Sequence, residues 1–329
     1  MATIKDIADE VGISKAAVSR ILNHKGSFSQ ETIAKVERTA RKLNYTPASV
    51  LQQEAAESSR LIAAIFPPAE FPYFGYLSSL LEQEAYNYGY HLMLCGSLFD
   101  REKEEACYRY LREKRICGVF LGSYTHDVTM LDEQDFPVVT MGYKLAENIP
   151  AVRTDNFSIG RIAAKHLLSK GCRKLLYITG YPGGLGVDLR YQGFAEEIRL
   201  RECELWTYEI NMDMQILNDF SDIISQMILE HPDADGVFAE TDRLALNCIQ
   251  IYSGLGYRIP DEIKIITYGN IQFSFFSNPK LTLVQENTKE IARRAVELMV
   301  NLIEGGKSGG SNLCKEIIVP VSLNERKTT

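Results

Sequence analysis

T-I-K-D-I-A-D-E-V-G-I-S-K-A-A-V-S-R-I-L-N, residues Thr3 to Asn23, is the stretch whose reading decides the fold. Ile4, Ile7, Ala8 and Val11 fall at i, i+3, i+4 and i+7, one apolar face of a helix, and Thr3 followed by Asp6 is spaced as a capping box. Gly12 ends that helix. Ser14 stands where it caps a second one, whose inward face is Ala17, Val18, Ile21 and Leu22; Asn23 and Gly26 close it. A third helix starts at Ser29, turns Ile33, Val36, Ala40 and Leu43 inward, and stops before Pro47. Two short helices across a tight glycine-containing turn, backed by a third, predict a helix-turn-helix.

From about residue 60 the texture changes to short apolar runs alternating with amphipathic stretches. Leu61 to Phe66, Leu92 to Cys95, Gly118 to Leu121, Val138 to Met141, Leu175 to Thr179, Gly236 to Ala239 and Lys264 to Tyr268 read as buried strands. Helical patterns lie between most of them, among them Ile159 to Leu168, Tyr191 to Leu200, Ile216 to Leu229, Arg243 to Tyr252 and Lys289 to Ile303. Such alternation implies parallel sheets with helices on both faces, and a segment of this length fits two lobes better than one. The expected architecture is an all-α headpiece at 1–47, a linker at 48–59, and a two-lobed α/β unit of doubly wound parallel sheets at 60–329.

The 329 residues carry a formal charge of −7, which taken globally speaks against a nucleic-acid partner. Divided by region, the sign reverses. Residues 1–47 hold eight basic and five acidic side chains, a balance of +3, and the remainder holds −10. A hydrophobic fraction of 45% with 24% charged residues excludes wholesale disorder and collagen-like repeats. Seven cysteines, an odd number with no C-x-x-C pair, read as reduced thiols of a cytosolic protein rather than a disulfide or zinc framework. No apolar stretch resembles a signal peptide or approaches the roughly 18 residues of a membrane span, so a cytoplasmic protein without a membrane partner is expected.

The segment Thr3 to Asn23, with N-Y-T-P at Asn44 to Pro47, resembles the DNA-binding headpiece of the lactose-repressor/galactose-repressor (LacI/GalR) family. Later pieces agree in order and spacing: F-P-Y-F-G at Phe71, T-D-N at Thr154, L-R-Y-Q-G-F at Leu189 and R-I-P-D-E-I at Arg258. The texture from Phe66 to Gly75 is similar to the sucrose-regulator branch. The resemblance implies a homodimeric transcription regulator, a repressor of carbohydrate genes, bound to a palindromic double-stranded DNA operator. It also implies a periplasmic-binding-protein-like domain controlled by a small sugar-like effector. Its lobes would comprise about 60–154 plus 284–309, and about 155–283 plus 310–329.

Matched to the family motif, Lys15, Ala16 and Arg20 fall where bases are read. Arginine pairs bidentately with guanine O6 and N7, lysine donates to guanine, and a methyl suits thymine. Thr3, Ser14, Ser19, Asn23, Ser27 and Thr32 fall at phosphate-facing positions. Residues 48–56 match the family's hinge helix, which inserts a leucine wedge into the minor groove; here Glu54 takes that place, with Leu51 one turn earlier. A carboxylate in that electronegative groove is unfavourable, so weaker operator bending than in relatives with the leucine is expected.

For the cleft between lobes, the resemblance places Phe74 at an aromatic wall, Arg190 at the cleft arginine, and Thr241 and Asp242 at a common Asn-Asp pair. Three positions depart from it. Gly142 and Gly269 replace two aspartates that hold sugar hydroxyls, and Glu286 replaces a glutamine. The glycines are expected to leave room, with Glu286, Glu240, Asp188 and Arg190 available to a ligand.

Other signals carry less chemistry. The glycine-rich run Gly180 to Gly186 meets Leu189 where a dinucleotide fingerprint needs glycine, and no G-K-[ST] follows. The five histidines lack metal-ligand spacing, Pro279 breaks the S-x-x-K run at Ser277, and no catalytic constellation or cofactor is expected. The C-terminal V-S-L-N-E-R-K-T-T has no leucine heptads, so a coiled-coil tetramer is not expected. A free two-lobed sugar-binding protein and a regulator answering a non-sugar effector stand as alternatives.

Overall fold

The structure is a computed structural model that describes residues 4–22, 28–43, 45, 60–68, 71–97, 100–122, 136–179, 187–211, 214, 219–269, 276–305 and 316–329, with the backbone alone at 31, 41, 187 and 188. Thr3, Asn23, Ser27, Leu51, Glu54, the segment 180–186 and the side chain of Asp188 therefore lie outside the described residues. The chain divides into two units, 1–60 and 61–329.

The first unit contains α1 (Ile4–Val11), α2 (Lys15–Leu22) and α3 (Gln30–Lys42). Ile7, Ala8, Val18, Ile21 and Val36 meet in its core, where the periodicity of the sequence puts them. Gly12 adopts φ 82°, the left-handed conformation that stops α1 at little steric cost. The Ser14 hydroxyl accepts from Ala17 N at 3.2 Å and the Ser29 hydroxyl from Thr32 N at 3.2 Å, capping α2 and α3. Lys35 Nζ donates to the Val11 carbonyl at 3.2 Å, satisfying an orphan acceptor at the end of α1. Lys42 donates to Glu10 at 2.7 Å, tying α3 back to α1.

The second unit holds two six-stranded sheets. The first is made of β1 (Leu61–Phe66), β2 (His91–Gly96), β3 (Gly118–Leu121), β4 (Val138–Met141), β5 (Ala151–Thr154) and β11 (Glu316–Val319). Its order is β11-β5-β4-β3-β1-β2, and all its pairings are parallel. The second is made of β6 (Lys174–Thr179), β7 (Glu204–Glu209), β8 (Gly236–Ala239), β9 (Lys264–Gly269), β10 (Thr282–Gln285) and β12 (Ser322–Asn324). Its order is β12-β10-β9-β8-β6-β7, and only β12 is antiparallel.

Between the strands run α4 (Pro72–Asn87), α5 (Arg101–Glu113), α6 (Asn156–Ser169), α7 (Val187–Arg199), α8 (Ser221–Glu230), α9 (Asp242–Gly254) and α10 (Thr288–Gly305). The central strands are buried on both faces, as continuous apolar runs require. The unit passes from the first sheet to the second after Thr154, returns after Gln285, and crosses again between β11 and β12. Ile291, Ala295, Val296 and Met299 of α10 then pack with Ile62, Phe120 and Val139 of the first sheet.

One expected boundary is corrected. The resemblance implies that residues 310–329 belong to the second lobe, but β11 pairs with β5 in the first sheet, Glu316 opposite Ala151 through Val319 opposite Thr154. Val319 and Ile317 pack into the first sheet's core, which holds the strand there and places the last crossing at 320–321.

Candidate functional site

In the first unit, α2 turns Val18 and Ile21 inward, which leaves Lys15, Ala16 and Arg20 exposed on the other face. Lys15 and Ser19, and likewise Ala16 and Arg20, are four apart and so stack one turn above another. The helix therefore offers a guanidinium, an ammonium and a methyl side by side, the groups that read guanine and thymine edges in a major groove. Ser14 lies at its N-terminus, where a hydroxyl and the first backbone N–H groups of a helix suit a phosphate. Thr32 is half-buried, and its hydroxyl pairs with that of Ser29 at 2.7 Å.

In the second unit, ligands of open parallel sheets sit beyond the carboxyl ends of the strands, and polar groups converge there. Glu240, immediately after β8, is 0% exposed. Tyr177 of β6 donates its hydroxyl to Glu240 Oε1, and Thr179 donates to Oε2 at 3.2 Å. Arg190 Nε lies 3.8 Å from Oε1, and Arg190 Nη1 donates to the Glu240 carbonyl at 3.4 Å. The Tyr177 ring is packed against Tyr191, Phe194 and Phe238, each centroid 5.3 Å away. Burial and the adjacent carboxylate push the Tyr177 phenol well above its ordinary range, so it remains a donor.

A second pair stands beside the first. Tyr268 of β9 donates to Glu286 Oε2, and Thr288 donates to Oε1 at 3.2 Å. Burial raises the Glu286 carboxyl above the usual range, while hydrogen bonds from Tyr268, Tyr73 and Thr288 and the nearby Arg190 charge pull the other way. The Tyr268 hydroxyl also lies 3.4 Å from Thr154 Oγ1, linking the two sheets at their first crossing. Arg190 stacks over the Tyr268 ring at 5.0 Å, so a single guanidinium serves both pairs.

Close helix packing sets where Arg190 begins. A Cβ at Gly160 of α6 would collide with the Arg190 carbonyl and lie 2.7 Å from Phe194 N, and one at Gly193 of α7 would come within 3.0 Å of the Phe157 carbonyl carbon. Only glycine at both places lets the two backbones approach this closely.

The two glycines that the resemblance sets at aspartate positions behave differently. Gly142 has φ 86° and nothing within 4 Å of where a Cβ would stand, so it leaves room. At Gly269 the expectation of room is overturned, because a Cβ there would lie 2.5 Å from Asp242 Cγ and closer still to both carboxylate oxygens. The Asp242 carboxylate, from the start of α9, fills the space beside Gly269 at the end of β9. Thr241 caps that helix, its hydroxyl accepting from Leu244 N at 3.2 Å.

Glu240 and Glu286, expected to be available to a ligand, are instead engaged beneath the surface by tyrosine and threonine hydroxyls. On the facing lobe Phe74 packs against Phe66 and Tyr73, at 5.5 and 5.1 Å between centroids. Arg243 reaches across to stack over Phe71 at 5.0 Å.

Comparison with known proteins places both units. Residues 3–48 match the family described as bacterial regulatory proteins, lacI family, and residues 164–329 match the periplasmic binding protein-like domain. The ribose operon repressor of Halalkalibacterium halodurans is 32% identical over 305 residues, 92% of this chain and 91% of that protein. The chain belongs to the lacI family of bacterial regulatory proteins. This regulator is also 29% identical over 324 residues to the sucrose operon repressor of Streptococcus mutans serotype c, with 98% of each chain covered. Among solved structures, a periplasmic binding protein/LacI transcriptional regulator from Alkaliphilus metalliredigens complexed with D-xylulofuranose has a TM-score of 0.74 at 30% identity. That likeness covers 82% of this chain and 99% of the other. The lac repressor dimer bound to operator shares the fold, with a TM-score of 0.71 at 20% identity over 99% of this chain and 98% of that one.

The lacI-family regulator is thus a DNA-binding protein with a helix-turn-helix unit and a two-lobed α/β unit. Among the described residues no helix is long and apolar enough to cross a membrane. The sequence reading did not find Tyr177, Thr179, Tyr268, Tyr73 or Thr154 in the cleft. A tyrosine near the carboxyl end of an otherwise aliphatic strand, as in L-L-Y-I-T and I-I-T-Y-G, is the signal that marks two of them.

Proposed function

We propose that this regulator represses carbohydrate-utilisation genes and that a sugar bound in its cleft controls its affinity for operator DNA. The reading rests on the polar groups of Arg190, Thr241 and Asp242 at the carboxyl ends of the second sheet and the aromatic Phe74 after β1 of the first, in a chain that also carries a helix-turn-helix. Planar polar groups against an aromatic wall suit a hydroxylated ring. Gly142 gives that ring space. Glu286, with Tyr268, fixes the floor from beneath, and Gly269 admits the Asp242 carboxylate. The ribose and sucrose operon repressors and the D-xylulofuranose complex among its relatives support a sugar as the effector.

In this reading Lys15, Ala16 and Arg20 contact bases, while Thr3, Ser14, Ser19, Asn23, Ser27 and Thr32 contact phosphates. Residues 48–59 join the units, with Leu51 and Glu54 at the minor groove. The regulator acts in the cytoplasm as a homodimer on a palindromic operator, needing no cofactor or metal. Effector and operator are coupled through lobe closure by about 1 to 3 kcal/mol, reciprocally.

The test is selection of DNA from a random pool, followed by fluorescence anisotropy with and without sugars. A palindromic consensus is expected, with a sugar that changes affinity about 5- to 150-fold. Enrichment of no sequence over non-specific DNA at physiological salt overturns the DNA assignment. A selected operator whose affinity no sugar alters overturns the effector assignment.

A further inference from the structure

Two thiols of the first lobe lie together. Cys95 is on β2, paired with Ile65 of β1, and Cys107 lies midway along α5, the helix that packs over those two strands. Both side chains pack against the core formed by Ala63, Ile65, Tyr108 and Leu111, and both remain partly exposed. The Cys95 thiol donates a hydrogen bond to the Cys107 sulfur. We propose that Cys95 and Cys107 form a site of reversible oxidation, at which a small-molecule disulfide converts the two thiols into one intramolecular disulfide that clips α5 to β2.

A disulfide needs two sulfurs already in contact and a route by which an oxidant reaches one of them. Cys95 and Cys107 have both. Cys172 and Cys203 instead donate to the carbonyls of Asp235 and Arg201, at 3.4 and 3.5 Å, and Cys248 is 0% exposed.

The hydrogen bond also sets the order of attack. Burial holds both thiols above their ordinary range, with Cys95 pushed up to about 11. At Cys107 the hydrogen bond from Cys95 works against that burial, while the Glu104 carboxylate adds to it. Cys107 is therefore the attacking thiolate. It gives up its proton and bonds to one sulfur of the external disulfide, whose S–S bond breaks and releases one thiolate. Cys95 then gives up its proton, bonds to the Cys107 sulfur and expels the second thiolate. Two protein thiols are oxidised, one external disulfide is reduced, and the two protons leave with its halves as thiols. Because thiolate is scarce in both residues at neutral pH, the rate should rise about tenfold per pH unit.

A bond at this place acts beyond α5. Two residues after Cys95, Ser97 donates its backbone N–H and its hydroxyl to the Phe66 carbonyl, at 2.9 and 3.3 Å. Asp100 N donates to the Ser97 carbonyl at 2.9 Å, and the Asp100 side chain caps α5. Phe66 in turn packs against Phe74. The clip thus fixes α5 against a strand end that is itself tied to the aromatic side chains of the first lobe, and gives the two-lobed unit a redox input separate from its effector.

The experiment exposes the reduced full-length regulator to cystamine at pH about 7 and about 8, blocks remaining thiols with iodoacetamide, and maps the unreduced peptides by mass spectrometry. A cross-linked pair joining Cys95 to Cys107 is expected, formed about tenfold faster at the higher pH and reversed by dithiothreitol. Cys95→Ser is expected to stop at a mixed disulfide on Cys107. Backbone amides of β2 and α5 should exchange hydrogen at least about fivefold more slowly in the oxidised protein. No oxidation, oxidation confined to other cysteines, or a cross-link from Cys95 or Cys107 to a different cysteine overturns the pairing, and the unsubstituted protein alone reads each of these outcomes. A Cys95–Cys107 cross-link that leaves amide exchange unchanged overturns the clip.

Discussion

The outer face of α2 and the floor of the cleft both carry polar groups, held in opposite ways. On α2, Lys15 and Arg20 project from a helix whose stability comes from Val18 and Ile21 on the other side. In the cleft, Glu240, Glu286, Tyr177 and Tyr268 satisfy one another below the surface, and the fold depends on their doing so. A contact residue on α2 is separable from stability; one in the cleft is not. This difference decides what a substitution in each region reports.

The largest effect is expected at Glu240. Replacement by alanine leaves the Tyr177 hydroxyl without its acceptor beneath the cleft and removes the carboxylate facing Arg190. Breaking a buried hydrogen-bonded charge in this way costs about 3 to 5 kcal/mol, roughly a 10 °C fall in the melting temperature of a domain this large. Urea and thermal unfolding of Glu240→Ala measure it. A loss under about 1 kcal/mol, the scale of an exposed polar substitution, would erase the distinction between the two regions.

The same difference explains what was legible in the sequence. The headpiece helices read correctly because caps and i, i+3, i+4 spacing are local, and each apolar position faces one small core. Seven strands of the two-lobed unit read from their apolar runs. The strands β5, β7, β10, β11 and β12 did not, since they are short or lie at sheet edges with half-exposed patterns such as that of E-L-W-T-Y-E. Helices α4 and α5 were not marked either: one opens with Pro72 among aromatics, and the other is dominated by charge. In the cleft, family resemblance pointed to Arg190, Thr241, Asp242, Gly269 and Glu286, which the fold brings to one place. Tyr177 with Glu240, 63 residues apart, and Thr154 with Tyr268, 114 apart, meet only through strand order. Spacing along a chain carries no trace of such pairs, and the Asp242 carboxylate packed beside Gly269 is invisible for the same reason.

A smaller effect is expected at Arg20, and it should fall on DNA alone. Arg20→Ala removes an exposed bidentate donor. It is expected to cost about 1 to 3 kcal/mol of operator affinity and to relax selectivity at one base position. The melting temperature should not move by more than about a degree, because exposed substitutions away from caps and cores change stability little. Anisotropy with operator and scrambled DNA at fixed salt, alongside thermal unfolding, separates the two quantities. Equal losses on operator and scrambled DNA would make Arg20 a phosphate contact rather than a base reader.

The smallest effect sharpens the contrast through pH. Glu286 is 6% exposed, and burial raises its carboxyl above the unfolded value. An acid with a raised folded pKa binds its proton more tightly in the native state. Its contribution to stability is therefore full below the ordinary glutamate range, near pH 4.3, and is lost as pH rises through the folded value. Glu286→Gln keeps an acceptor for Tyr268 and Thr288 and never ionises. The variant is expected to match the parent at pH about 4 and to exceed it at pH 8 by on the order of 1 kcal/mol, about 2 to 4 °C. Melting temperatures across that range measure the gap. If the gap stayed at zero, Arg190 and the three hydroxyls would fully offset the burial of the charge, and the cleft floor would tolerate ionisation as easily as the outer face of α2 does.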